Sequence, residues 1–167
     1  MSIAPVVTAR PAVAEDLPAL VRLYRLLEEE MTALEHMWDQ ADGLPEPVEA
    51  SLTAAIDDER VLVAVGTIDG LVMGFVLAEF ADLLPHASEP VGSIRLVFTE
   101  PDAREVGVGE ATRDLALDWF RAAGVRRFDA HVLPGHRLAK NFFESAGFSA
   151  RHIVMFSEEA DSGDESG

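Results

Sequence analysis

The chain has 167 residues, with 13 Lys and Arg against 30 Asp and Glu, no cysteine, and a formal net charge of −17. That length suits one domain with a sizeable core. The negative charge disfavours binding to nucleic acid or to anionic membranes, and the lack of cysteine excludes disulfides and thiolate chemistry. The apolar segments are too short for a membrane helix, and the N-terminus lacks a signal pattern. We therefore expect a soluble, cytoplasmic protein.

The charge is unevenly distributed. Eleven acids and no Lys or Arg occur from Leu26 to Glu59, whereas eight bases face seven acids from Arg95 to Lys140. The first part would suit a cationic partner and the second an anionic one, although solvated helix faces explain the acids equally well. The end of the chain, "SEEADSGDESG", is acidic and has no large apolar residue. We predict a single domain over residues 1–156 and a disordered acidic tail over 157–167.

The first half of the chain predicts two helices and three strands. A short strand over Val6–Arg10 precedes an amphipathic helix in "AEDLPALVRLYRLLEEE", with Asp16 as its cap and Pro18 in its first turn. A less regular region leads to a second helix around Val48–Ile56. The segment "RVLVAVGTIDGLVMGFVLAEF" then predicts two strands joined by the turn pair Asp69-Gly70.

The second half alternates strands and helices. "SIRLVFT" predicts a fourth strand, and "REVGVG" separates it from a helix whose apolar stripe ends at Gly124. "VRRFDAHVL" predicts a fifth strand, "HRLAKNFFESA" a fourth helix ending at Gly147, and "FSARHIVMF" a final strand. The predicted order is therefore βααβββαβαβ.

Gly107 and Gly109 lie where a helix should begin, although glycine is a poor helix former. The first N–H groups of a helix have no internal partner, and the helix dipole is positive there. A strand, a glycine turn and a helix start therefore favour an anion site, with a purely structural turn as the alternative. A Walker loop is excluded because no Gly-Lys-Ser/Thr follows. A dinucleotide motif would need a third glycine where Thr112 stands.

With "REVGVG" the sequence resembles the coenzyme A pyrophosphate motif of the GCN5-related N-acetyltransferase (GNAT) family, Arg/Gln-x-x-Gly-x-Gly/Ala. Arg104, Gly107 and Gly109 match that motif. "HVLPGHRLAKNFFESAGF" resembles the family's fifth strand and fourth helix, and "RPAVAEDLPAL" its first strand-to-helix passage. The resemblance implies an α/β (α+β) fold: a mixed, mostly antiparallel sheet with splayed fourth and fifth strands, and about four helices.

The resemblance also implies acetyl-CoA as co-substrate. The pantetheine arm would lie between the fourth and fifth strands, and the pyrophosphate against N–H groups from Arg104 to Gly109. His136 stands where the family usually has an asparagine facing the cofactor arm, and Phe143 where it commonly has the tyrosine that protonates the thiolate. Glu105 and Glu110 are acids beside the expected phosphate site, so we expect modest affinity. The implied cofactor-binding residues are Val97, Phe98, Thr99, Arg104, Glu105, Val106, Gly107, Val108, Gly109, His136 and Phe143.

The implied reaction is direct transfer of an acetyl (acyl) group from acetyl-CoA to a primary amine in a ternary complex. A base must remove the proton of the amine. Glu79, His131 and Glu100 are candidates for the catalytic base, and we prefer Glu79 with His131 because their strands border the expected acceptor side. Arg95 stands where several relatives carry a catalytic glutamate. It could instead pair with Glu79 or contact a substrate carboxylate.

The resemblance places the acceptor between the first two helices, where an acidic set favours a cationic amine. This amine would be a small molecule, such as a polyamine or an aminoglycoside, or the lysine or N-terminal amine of a peptide. The set comprises Glu28, Glu29, Glu30, Glu35, His36, Trp38 and Asp39. No histidine spacing typical of a metal site occurs, so no metal is expected. Because Phe143 has no proton to give, a CoA-binding regulatory or interaction module without turnover is the alternative. A homodimer is possible, and the sequence leaves this question open.

Overall fold

The computed structural model describes residues 3–34, 43–81, 90–133 and 135–155, together with Ser157, Glu159 and Ala160. Short 3₁₀ turns lie at Ala14–Asp16 and Pro101–Ala103. In chain order the other elements are β1 Val7–Pro11, α1 Leu17–Leu34, α2 Val48–Asp57, β2 Val61–Ile68, β3 Leu71–Ala81, β4 Val91–Thr99, α3 Val108–Ala122, β5 Arg127–Ala130 and α4 Arg137–Glu144. In the described ranges no helix combines the length and apolar character needed to cross a bilayer.

The described strands form one sheet in the order β1-β2-β3-β4-β5. Neighbouring strands are antiparallel, except that β4 and β5 are parallel. β5 pairs only with Val91–Ile94, the first residues of β4, and the last bond between the two segments is His131 N–H to the Ile94 carbonyl. Beyond Ile94, β4 runs on to Thr99 with no strand of the described residues beside it on that side. The expected mixed sheet with splayed fourth and fifth strands is confirmed.

Each face of the sheet carries its own apolar core. α1 and α2 cover one face with fully buried side chains such as Leu20, Tyr24 and Leu52. α3 and α4 cover the other face, where Phe120 has no exposed surface. Complete burial of one such side chain contributes about 1.5–3 kcal/mol. These two layers fix the position of the gap between β4 and β5 from both sides.

A glycine pair brings α3 unusually close to the sheet. Gly66 on β2 faces Gly74 on β3 in the strand register. A Cβ atom at Gly66 would lie 2.7 Å from the side chain of Val108, and one at Gly74 would lie 2.9 Å from it. Any larger residue would therefore push the first turn of α3 outward. Because Gly66 and Gly74 have no side chain, the first turn of α3 can lie directly beside the end of β4.

Several predicted boundaries are confirmed. Asp69 and Gly70 have φ of 49° and 84°, as the two-residue hairpin turn requires. α3 stops just before Gly124, whose φ is 81°.

Asp16 has a different contact from the one predicted. Its carboxylate accepts the Val13 N–H at 2.8 Å, before the start of α1.

The predicted final strand over 148–156 is wrong for its described part. Residues 148–155 form no strand, and the side chains of Ile153, Val154 and Met155 are 71%, 77% and 87% exposed. Phe156 lies outside the described residues. The prediction relied on β-branched and aromatic composition, which favours a strand only where a neighbouring strand and a buried face exist.

Candidate functional site

The unpaired end of β4 offers backbone groups to the gap. Phe98 lies opposite Phe75 of β3, and the next residue but one, Glu100, donates its N–H to the Met73 carbonyl at 2.9 Å. Backbone groups alternate in direction along a strand, so those of Phe98 face β3. The backbone groups of Val97 and Thr99 therefore face the gap. Of the three strand residues predicted to meet a cofactor arm, these two have the suitable orientation.

The residues after β4, here called the glycine loop (Arg104–Glu110), carry a run of open amides. Residues 104–107 form turns, but within the described part of the chain the N–H groups of residues 105–110 reach no acceptor with good hydrogen-bond geometry. The first such bond of α3 is Ala111 N–H to the Gly107 carbonyl at 3.0 Å. Arg104 differs, because its N–H reaches the Pro101 carbonyl at 3.3 Å. Open amides at the positive end of a helix bind anions.

The two glycines of the loop have different roles. Gly107, directly before α3, has φ of 103°, a conformation that residues with a side chain rarely adopt. Gly109 is needed for close packing, since a Cβ there would lie 3.2 Å from the Thr99 hydroxyl oxygen and 3.3 Å from the Phe142 ring. Glu105 also has positive φ, at 69°. Positive φ at a residue other than glycine costs of order 1–3 kcal/mol, and such strain tends to occur at functional sites.

The side chain of Arg104 is directed toward β4 and α1. Its Nε donates to the Thr99 carbonyl at 3.0 Å, and an Nη donates to Glu30 on α1 at 2.7 Å. The guanidinium also lies 5.5 Å from the centre of the Phe98 ring. Arg104 therefore joins the glycine loop to β4 and α1. Glu30 was predicted among the acceptor-facing acids, and its contact with Arg104 was not predicted from the sequence.

His136 lies directly before α4, and its side chain is only 15% exposed. Its Nε2 is 3.9 Å from the second carboxylate oxygen of Glu30. Burial lowers the pKa of His136; Glu30 opposes this effect and the positive charge of Arg104 adds to it. A neutral imidazole can both donate and accept a hydrogen bond. It thus offers the same kinds of hydrogen bond as the asparagine that the resemblance implies at this position.

Phe143 is a core residue of α4. It is 3% exposed, and its ring meets those of Phe142 and Phe148 edge-on at 5.1 and 5.3 Å. The side chain has no hydroxyl group, so it cannot supply a proton to a leaving thiolate.

The candidate bases lie in different environments on the face of the sheet covered by α1 and α2. Glu79 on β3 lies opposite Ser93 on β4, and its carboxylate is 3.2 Å from the guanidinium of Arg95. Of the two roles suggested for Arg95, the pairing with Glu79 is present, at a bulge in β4. His131 follows β5, is exposed, and has its Nε2 3.3 Å from the Ser93 hydroxyl.

The third candidate, Glu100, pairs with Arg22 on α1 at 3.2 Å. Of the predicted acidic set, Glu28 pairs with Arg25 at 2.8 Å, Glu30 pairs with Arg104, and Glu29 is exposed. The other members, at positions 35, 36, 38 and 39, lie outside the described residues. Across the described ranges, no group of three or more histidine or acidic side chains could hold a metal ion.

Comparisons with known proteins identify the family. The sequence model of the Acetyltransferase (GNAT) family matches residues 20–148. A mycothiol acetyltransferase of Geodermatophilus obscurus is 33% identical over 66 residues, which are 40% of this chain and 21% of that protein. The match thus spans about a fifth of that relative's length.

Two solved structures share the fold. A transcriptional regulator from Bacillus halodurans C-125 matches with a TM-score of 0.74 and 20% identity, over 92% of this chain and 100% of that chain. The aminoglycoside N-acetyltransferase AAC(6')-Iy, in complex with CoA, matches with a TM-score of 0.73 and 18% identity, over 95% of this chain and 98% of that one. At these identities the likeness concerns the fold alone. The family match covers most of the chain, and the protein therefore belongs to the GNAT family of acetyltransferases.

Proposed function

We propose that the protein is an N-acyltransferase that moves an acetyl group from acetyl-CoA to a cationic primary amine. The observation that carries the proposal is the run of open N–H groups in the glycine loop, at the positive end of α3. The glycine loop lies next to the part of β4 that has no second neighbour among the strands that the structure describes. A diphosphate at the loop would direct the rest of the cofactor along this open edge.

The cofactor arm would pair with the backbone of β4 through Val97 and Thr99. Because the Thr99 carbonyl already accepts a hydrogen bond from Arg104, the Val97 groups and the Thr99 N–H are the ones left for this pairing. His136 would contact the arm from the start of α4. Glu105 and Glu110 are exposed members of the glycine loop, and their charge would keep the affinity for the cofactor modest.

In the reaction, a neutral amine attacks the thioester carbonyl directly, and an N–H group of β4 polarises the carbonyl oxygen. His131 is the better candidate for the base that takes the amine proton. The carboxylate of Glu79 is already paired with the guanidinium of Arg95, whereas the ring of His131 is exposed. The released thiolate takes its proton from water. Thiols have a pKa near ~8.5, so they are fair leaving groups without an acid.

The acceptor would lie on the side of α1 and α2. Glu79 lines an open cavity of about 340 Å³ there, together with Asp58 and Arg60. Glu28, Glu30 and Glu79 are each paired with an arginine, so the cationic preference would depend on Glu29 and on the acids between α1 and α2 in the sequence. Aminoglycosides, the substrates named for the structurally similar AAC(6')-Iy, and polyamines are the first amines to test; peptide amines come next.

Two measurements test the proposal. Acetyl-CoA should raise the melting temperature of the protein, whereas NAD should not. Free thiol should then be released from acetyl-CoA on addition of a polyamine or an aminoglycoside. Absence of any acetyl-CoA binding would overturn the proposal.

One observation favours a second candidate, a CoA-binding module without turnover. Phe143 is buried and has no hydroxyl group, so the proton donor implied by the family resemblance is missing. Binding of acetyl-CoA without thiol release, across amines and peptides, would support this alternative over the enzyme.

A further inference from the structure

Two ion pairs join α1 to the end of β4 and to the glycine loop. In one of them α1 supplies the arginine, and in the other it supplies the glutamate. Arg22 reaches Glu100 at 3.2 Å, and Glu30 reaches Arg104 at 2.7 Å. The side chains of Glu30 and Arg104 are 28% and 26% exposed, so this pair is largely shielded from water. A charge-assisted hydrogen bond in such a setting is stronger than a pair on the open surface.

The contacts of Arg104 determine what the residue can do. Its Nε donates to the Thr99 carbonyl, one Nη donates to Glu30, and its Cζ lies over the Phe98 ring. The charge is therefore balanced by Glu30 rather than directed at the open amides. The side chain acts as an anchor, and it lies directly before Glu105, the residue with strained backbone.

A strained loop keeps its shape only if its surroundings hold it there. The backbone bond from Arg104 to Pro101 is long, at 3.3 Å, so the side chain of Arg104 is the stronger attachment at this end of the loop. The other end is fixed by α3, where Val108 is buried against the glycine pair of β2 and β3. Between these two attachments lie the open amides.

We propose that Glu30 is a positioning residue that acts through Arg104: it holds the glycine loop in the conformation that leaves its N–H groups open to a diphosphate. This inference rests on the proposed function, in which those groups bind the cofactor. Because Glu30 belongs to α1, it also joins the cofactor loop to the helix that borders the acceptor side.

If charge alone mattered, loss of Glu30 would strengthen cofactor binding. Removal of a negative charge near the site should strengthen binding of a polyanionic cofactor. The same would happen if Glu30 merely withheld Arg104 from the phosphates, because the freed guanidinium could then bind them. Weaker binding after loss of Glu30 is expected only if the carboxylate holds the loop in place.

The test compares variants of neighbouring residues in the full-length protein, with CoA binding measured by titration calorimetry. Glu30→Ala should raise the Kd for CoA about tenfold, as expected for loss of one charge-assisted hydrogen bond. Glu30→Gln keeps an oxygen that Arg104 can bind, and should recover part of the affinity. The control is Glu29→Ala on the same helix, since Glu29 is exposed; its Kd should stay equal or fall slightly. Unchanged or tighter binding by Glu30→Ala would overturn the inference.

A second measurement works without cofactor and separates the two proposals. The ¹⁵N-{¹H} heteronuclear NOE of the amides at 105–110 should fall in Glu30→Ala and stay at the wild-type value in Glu29→Ala. If the wild type binds no CoA but the NOE changes as expected, the proposed function fails and the positioning role stands. If CoA binds and the NOE values of the two variants do not differ, the positioning role fails.

Discussion

The Nε2 of His131 lies 3.3 Å from the hydroxyl oxygen of Ser93. On its other side, Ser93 of β4 lies opposite Glu79 of β3 in the strand register. The two side chains preferred as bases from sequence thus lie on either side of one serine. They differ in their surroundings, because the carboxylate of Glu79 is bound by the guanidinium of Arg95, whereas the ring of His131 is exposed and has the Ser93 hydroxyl among its contacts. This difference leads to a prediction about catalysis.

His131→Gln should lower kcat for thiol release about 10²-fold, the usual size of a lost general base, and leave the KM for acetyl-CoA nearly unchanged. Glu79→Gln should change kcat less, because the carboxylate is already bound by Arg95. Steady-state kinetics with the best amine acceptor measures both. A larger loss of kcat in Glu79→Gln than in His131→Gln would reverse the assignment.

Gly107→Ala should weaken CoA binding and destabilise the fold. Nothing lies within 4 Å of a Cβ at Gly107, so the cost is the strain of φ at 103°, about 1–2 kcal/mol. Gly70→Ala is the matched control, since Gly70 has φ of 84° and equally open surroundings in the hairpin turn. Both variants should melt at lower temperature. Only Gly107→Ala should also raise the Kd for CoA, and an equal effect of Gly70→Ala would contradict the role of the loop.

Local patterns accounted for most elements and for the glycine loop. The hairpin turn, the end of α3 and the open helix start all follow from residues within a few positions of one another, as at Asp69-Gly70 and Gly124. Such signals do not depend on the rest of the chain. For the same reason, the strand-to-helix passage at Gly107 could be interpreted before the fold was known.

The contact between Glu30 and Arg104 could not be predicted in the same way. The two residues are far apart in the chain, and the periodicity of α1 shows only that Glu30 is not on the apolar face. The bulge that directs Arg95 toward Glu79 is a property of the strand register, which the sequence of β4 alone does not contain. Residues 148–155 are the converse case, because their composition is typical of a strand and yet these described residues form none.

Asp16→Asn should lower the free energy of unfolding at neutral pH. It should also make that free energy depend less on pH in the acid range. The hydrogen bonds from the Arg10 side chain, at 2.7 and 2.9 Å, are the main reason why the pKa of Asp16 is lowered. The folded state therefore binds this proton less readily than the unfolded state. The stabilisation is complete above the ordinary pKa of 3.8 and is lost as the pH falls through the lower folded value.

The expected loss for Asp16→Asn at pH 7 is about 1–3 kcal/mol, measured by urea unfolding, because the carboxylate is 7% exposed and also binds the Val13 N–H. Near pH 2 the difference between variant and wild type should shrink. A constant difference across this range would show that the ionised carboxylate is not what stabilises the N-terminal turn.

His136 should make the fold sensitive to mild acid. Its pKa lies below the ordinary 6.5, chiefly because the imidazole is buried, so the unfolded state takes up a proton at higher pH than the folded state. The contribution of the neutral ring to stability is complete above pH 6.5 and falls as the pH drops from 6.5 toward the folded pKa. His136→Asn keeps a polar side chain that cannot titrate.

The fall in melting temperature between pH 7.5 and pH 5.5 should therefore be smaller in His136→Asn than in the wild type. His152→Asn is the control, because His152 is exposed and should leave the wild-type fall unchanged. An NMR titration of the imidazole protons gives the folded pKa directly. A measured value at or above 6.5 would mean that Glu30, 3.9 Å away, outweighs burial. The protonated ring would then be a third partner in the Glu30–Arg104 contact that holds the glycine loop.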